Sequence, residues 1–180
     1  MQILCFGDSN TYGYDPRGFF GDRYEAQDRW VDLLANMTQH QMFNGGMNGR
    51  EIPRMSNSLE VFKASSAELF LIMLGTNDLL QGATAKETAA RMEAFLIRLL
   101  PLKKHILLVA PPPMKRGAWV PADDLVSESA GLADEYMLVA KNLDIPFVDT
   151  RDWNVELTYD GVHFTEAGHH AFANRLAEYL

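Results

Sequence analysis

Three stretches of this chain are apolar without alternation: residues 2–6, 68–74 and 105–110. A strand with one wet face alternates polar and apolar residues, whereas a strand covered on both faces does not. These runs therefore predict parallel strands lying between two layers. Two weaker runs, residues 41–44 and 145–149, bring the set to five. Helical spacing fills the gaps. Trp30, Leu33, Leu34 and Met37 recur at i, i+3, i+4, i+7. Thr84 with Glu87 reads as a capping box opening a helix that buries Ala85, Ala89, Met92 and Leu96. Leu132, Tyr136, Val139 and Leu143 mark another helix. Phe172, Leu176, Tyr179 and Leu180 mark the last, capped by Thr165.

Strands alternating with helices imply right-handed βαβ units. The expected fold class is α/β: a three-layer α/β/α sandwich with a five-stranded parallel sheet, flavodoxin-like. With 180 residues and no repeat, low-complexity tract or linker, residues 1–180 read as a single domain. The net charge of −8 and the absence of a Lys/Arg cluster argue against a nucleic-acid backbone as partner. No stretch reaches the ~18 apolar residues of a membrane span. Met1 leads directly into a strand-like run without a basic-then-apolar leader, and a single Cys5 offers no internal disulfide, so a cytoplasmic location is expected. Cys5, mid-strand beside Leu4, reads as a core residue rather than a nucleophile.

In an open parallel sheet, ligands bind beyond the carboxyl ends of the strands. Ser9 in Gly7-Asp8-Ser9-Asn10 follows the first strand and Gly49 the second. Asn77 in Gly75-Thr76-Asn77-Asp78 follows the third, and Asp160 and His163 follow the fifth. A serine nucleophile needs a base and a group that orients the base. Asp160 and His163, three residues apart, can meet within one turn, with the other imidazole nitrogen left for Ser9. Asp149 and Asp152 are rival acids without that one-turn relation. Asp8 is expected to brace the turn. Asn77 can donate to a developing oxyanion, or merely support its loop. Gly49 can offer a backbone N–H, with Gly46 as its rival for that role. Ser9 could instead be only a helix N-cap. His169 and His170 read as surface or packing residues, and His40 and His105 as solvated. No His cluster suggests a metal site.

Together, Gly7-Asp8-Ser9, Gly49, Gly75-Thr76-Asn77-Asp78 and Asp160-x-x-His163 resemble the four blocks of the SGNH, or GDSL, hydrolases, across nearly the whole chain. Arg29-Trp30, Pro111-Pro112-Pro113 and Gly161-Val162-His163-Phe164-Thr165-Glu166-Ala167 are similar to phrases of the bacterial arylesterase/acyltransferase branch. The resemblance implies Ser9 as nucleophile, His163 as base held by Asp160, and Ser9, Gly49 and Asn77 as the oxyanion hole. Two departures stand out. Asn10 replaces the Leu of the family name, which suggests an altered pocket edge. Met47-Asn48 precedes Gly49, where a small residue or Ser is usual.

The expected function is a serine esterase acting on small, short-acyl carboxylic esters, with acyl transfer to alcohols as a further activity and no metal or organic cofactor. Within the family, a lysophospholipase, thioesterase or carbohydrate acetyl esterase are alternatives. From other classes come a phosphate-binding module with residues 7–11 at a helix N-terminus, and an inactive interaction protein on the same fold. The expected partner is a small-molecule ester, and a homo-oligomer stays open. Two long loops draw attention. Residues 11–28 carry Tyr12, Tyr14, Phe19, Phe20 and Tyr24, and residues 111–121 carry Met114 and Trp119. Tyr12, Met47, Met114, Trp119 and Phe164 are the expected pocket walls.

Overall fold

A computed structural model describes residues 1–18, 22–55 and 59–180, so Phe19 and Phe20 lie outside the described residues. Five parallel strands form one sheet in the order β2-β1-β3-β4-β5. They are β1 (Gln2–Gly7), β2 (Gln41–Gly46), β3 (Leu69–Met73), β4 (His105–Val109) and β5 (Phe147–Val148). The helices are α1 (Ser9–Tyr12), α2 (Trp30–Thr38), α3 (Glu60–Ala64), α4 (Thr76–Leu80), α5 (Ala85–Leu99), α6 (Asp123–Leu143) and α7 (Glu166–Leu176).

The unbroken apolar runs resolve into two faces. Leu4, Phe6, Phe70, Ile72, Ile106 and Leu108 join a core with Phe62 of α3, Phe95 of α5 and Tyr136 of α6. Their neighbours Ile3, Cys5, Leu71, Met73, Leu107 and Val109 join a second core with Trp30 and Leu34 of α2 and Phe172 of α7. Every residue of β3 is buried, as a strand between two helical layers requires. Burial also pushes the Cys5 thiol far above its usual range, which leaves it a neutral packing residue.

Local signals set the helix ends. Thr84 and Glu87 form the reciprocal capping box, and the Thr165 hydroxyl accepts the Gly168 N–H. Strand β5 is shorter than residues 145–149. Pro146 has no N–H to donate, the Ile145 N–H is used by the Ala140 carbonyl, and Asp149 turns aside to Arg151. Among the described residues no helix is long and apolar enough to cross a membrane.

The strand order reverses direction between β1 and β3, so the crevice opens where these two strands end. Backbone approach there is close. A Cβ on Gly46 would stand 2.1 Å from the Tyr12 nitrogen and 2.6 Å from the Thr11 carbonyl carbon, both backbone atoms of the first loop. Gly46→Ala should therefore displace α1 and cost about 1–3 kcal/mol, the range for overpacked sites. Gly49, at φ +70° with nothing within 4 Å of its Cβ position, should lose only about 1–2 kcal/mol on substitution by Ala, from the left-handed backbone alone. Urea unfolding of the two variants checks the order.

Candidate active site

Strand β1 delivers the chain to Asp8, whose carboxylate accepts the Asn10 N–H at 2.9 Å and caps α1. Ser9 is thus the first residue of the helix rather than its cap. Among the described residues nothing accepts its own N–H, which is one of the free amides of a first helical turn. The Ser9 Oγ lies 3.0 Å from His163 Nε2, and His163 Nδ1 lies 2.7 Å from Asp160 Oδ2. All three side chains are buried. With Nδ1–H donated to the carboxylate, Nε2 is left to accept the serine hydroxyl proton.

Asp160 is held from several sides. Its Oδ1 accepts the Val162 and His163 amides at 2.8 and 3.0 Å and the Thr158 hydroxyl at 2.8 Å. Burial would raise this carboxyl, but the hydrogen bonds from His163 and Val162 and the imidazole charge outweigh it and hold the pKa at about 2. Asp8 goes the other way. Burial raises it to about 6, against the lowering influence of the Asn10 amide, His163, Thr76 and Arg50. Asp149 instead pairs with Arg151 at 2.7 Å, and Asp152 is exposed in a 3-10 turn.

Two glycines compete as amide donors, and their environments differ. The Gly46 N–H is used by Asn44 Oδ1 at 2.9 Å. The Gly49 N–H has no acceptor among the described residues, and Gly49 lines the cavity above Ser9. Helix α4 fastens this segment. Asn77 Nδ2 donates to the Arg50 carbonyl at 3.1 Å, which leaves its second amide hydrogen for the cavity. Asp78, fully buried, accepts the Ile52 N–H at 2.9 Å and Arg91 Nη1 at 3.0 Å. Burial raises the Asp78 carboxyl, and these two bonds pull against it.

A cavity of about 300 Å³ joins these groups, lined by Ser9, Tyr14, Asn48, Gly49, Asn77, Trp119 and His163. The rings of Tyr14 and Trp119 flank the imidazole in T-shaped contacts at centroid distances of 4.8 and 5.1 Å. The Trp119 side chain is half exposed, yet its backbone N–H is tied to the Asp160 carbonyl at 3.0 Å.

Of the five expected pocket walls, only Trp119 lines this cavity. Met114 and Phe164 are buried instead in the two cores, one on each face of the sheet. Tyr12 lies beneath the Arg23 guanidinium at 4.6 Å. Met47 lines a neighbouring groove beyond Gly49. Tyr14 takes the expected place of Tyr12. Gly13 ends α1 in the left-handed conformation, and the Tyr14 N–H turns back to the Ser9 carbonyl. A glycine immediately before an aromatic was the available signal.

Asn10 also needs correction as a pocket-edge residue. It is buried, donating from Nδ2 to the Val162 carbonyl at 3.1 Å and accepting the Phe164 N–H at 3.0 Å. It therefore grips the backbone on both sides of His163 from the helix that carries Ser9. His169 is a core residue. Burial lowers its pKa to about 3, and its Nδ1 faces the Trp30 N–H at 3.4 Å. His170 is exposed and meets Asp28 at 3.0 Å.

The comparisons with known proteins agree with this architecture. The family model described as GDSL-like lipase/acylhydrolase matches residues 5–171. The native aryl esterase of M. smegmatis superposes with a TM-score of 0.85 at 26% identity, covering 99% of this chain and 97% of that one. A carbohydrate acetylesterase family member from Sinorhizobium meliloti gives 0.81 at 26% identity, covering 99% and 96%. No curated protein matches.

An acid whose pKa is higher folded than unfolded binds its proton more tightly in the folded state, so its ionisation opposes folding. The cost for Asp8 is absent below the unfolded value near 3.8 and complete above about 6. Asparagine preserves the cap. Asp8→Asn should therefore gain stability relative to the parent between pH 4 and pH 7, by up to about 3 kcal/mol. Urea unfolding at the two pH values measures it, and a difference that does not change with pH would contradict the burial argument.

Proposed function

The chain belongs to the GDSL-like lipase/acylhydrolase family, and on that premise we propose that it is a serine esterase cleaving short-acyl carboxylic esters through an acyl-enzyme on Ser9. The observation that carries this reading is the buried relay from Ser9 Oγ to His163 Nε2 at 3.0 Å and from Nδ1 to Asp160 at 2.7 Å, opening into a small cavity.

Ser9 Oγ attacks the ester carbonyl as its proton passes to His163 Nε2. The carbonyl oxygen takes the negative charge, facing the Ser9 and Gly49 amides and the Asn77 side chain. The C–O bond to the alcohol then breaks, and the imidazolium returns the proton to the departing oxygen. Water, deprotonated by His163, attacks the acyl-enzyme, and the acid leaves with Ser9 reprotonated. Asp160 stays ionised throughout, holding the ring and the charge it acquires. A phosphate cradle at the start of α1 is disfavoured, because the Asp8 carboxylate already occupies the amide it would use.

The leaving alcohol sits beside the group that protonates it, so Tyr14 and Trp119 border the alcohol side. Two aromatic rings there suit a flat or ring-shaped alcohol, an aryl group or a sugar. Both kinds of substrate appear in the names of the structural relatives. The same apolar walls favour an alcohol over water as acceptor, so acyl transfer in water belongs to the proposal.

Ser9→Ala should abolish phenyl acetate hydrolysis and labelling by a fluorophosphonate, with the melting temperature little changed since Asp8, not Ser9, caps the helix. Substantial residual turnover would remove the serine mechanism. Asn77→Ala should lower kcat by about 10²–10³-fold if its amide faces the oxyanion, and an unchanged kcat would leave it a loop support.

A further inference from the structure

Beyond Gly49, on the side away from His163, the catalytic cavity abuts a second cavity of about 440 Å³. Phe6, Met47, Gly49, Arg50, Glu51, Pro53 and Val61 form its walls, so Gly49 is shared between the two. Since His163 and its aromatic flanks border the alcohol, the space past the oxyanion donor is left for the acyl substituent. That assignment rests on the reading of Ser9 as nucleophile.

The charged groups of this cavity are not equivalent. Glu51 is engaged by Arg54 at 2.7 Å. Arg50 lays its guanidinium over the Phe6 ring at 4.0 Å. Its Nη1 donates to the carbonyls of Gly7, at 2.8 Å, and Gly45. Its Nε and Nη2 have no acceptor among the described residues. Burial lowers the Arg50 pKa, and Asp8 counters this only through space. Asp8 is itself buried and turned to the Asn10 amide. Arg50 is thus a half-buried cation whose fork is fixed by one nitrogen on two carbonyls, with the other edge left open to bind a planar anion.

We propose that this second cavity is an acyl subsite in which Arg50 recognises a carboxylate at the far end of the acyl chain, so that half-esters of short dicarboxylic acids are preferred over plain acyl esters of the same length. Arg50 is bonded to the carbonyl of Gly7, two residues before Ser9, and lines the cavity that shares Gly49 with the one above the serine. A glutaryl group carries its second carboxylate out of the catalytic cavity towards Arg50, whereas an acetyl group leaves the subsite empty.

The test compares monophenyl glutarate with phenyl valerate, which share leaving group and chain length and differ in the terminal carboxylate. The full-length enzyme should show a kcat/KM at least tenfold higher for the glutarate ester. Free glutarate should inhibit phenyl acetate hydrolysis competitively at concentrations where valerate does not. Arg50 also holds two strand-end carbonyls, so its variants are judged by the ratio of the two esters and not by absolute rate. Arg50→Lys should keep part of the preference, and Arg50→Gln should bring the ratio to one or below. A parent enzyme that cleaves phenyl valerate as well as the glutarate ester, or a preference that survives in Arg50→Gln, overturns the subsite while leaving the esterase intact. If neither ester is cleaved and Ser9 resists the fluorophosphonate, the esterase reading falls and takes the subsite with it.

Discussion

The Asp160 carboxylate is buried, and its ionised state exists only because its surroundings satisfy it. The Thr158 hydroxyl, the Val162 and His163 amides and the imidazole Nδ1–H all point at it. An unmatched buried charge costs several kcal/mol, so this cluster of donors fixes the whole 158–163 turn. Other elements then take their bearings from that turn. The Lys115 amide donates to Gly161 and the Trp119 amide to Asp160, which aligns the proline-rich loop. Asn10 bonds both neighbours of His163, which aligns α1. The acid that orients the imidazole thus also organises the walls around it.

Oppositely tuned carboxylates stand close to one serine. Asp160 is held at about 2 and Asp8 rises to about 6. Both are closed off from solvent, but Asp8 is packed more deeply and receives fewer donors. Asp8 accepts the Asn10 amide and is met by the Thr76 side chain, whereas Asp160 is surrounded by donors. A buried acid that is incompletely satisfied is a standing cost to stability, tolerated where it shapes the start of the helix bearing the proposed nucleophile.

Much of the fold is legible because two-sided burial leaves a direct mark on composition. Runs such as Leu69 to Leu74 have no polar position to spare, and each becomes a strand or its immediate continuation. The capping residues Thr84 and Thr165 are equally local signals. The candidate site is legible where backbone topology alone determines position: Ser9, Asn77 and His163 arrive together because their strands end together. Side-chain direction is not local, and there the sequence is a weaker guide. Phe164, next to His163, looks like a pocket wall, but it alternates inward to pack on Phe172 and His169. Tyr14 enters the cavity through the reversal at Gly13, and the role of Asn10 depends on backbone groups more than 150 residues away.

That long stitch has a bearing on how the protein comes into being. Asn10 and Ser9 are separated by 154 residues from the Phe164 amide and the His163 ring that they engage. Chains are made from the amino end, and contacts so distant in sequence are among the slowest to close. A ribosome-bound chain can complete β1 through β4 with Ser9 in its turn and still have no base beside it. The proposed hydrolytic chemistry is withheld until residues 157–176 have emerged and docked against α1 and α2. The proposed nucleophile therefore has no base beside it until the chain past residue 163 is made and the fold closes.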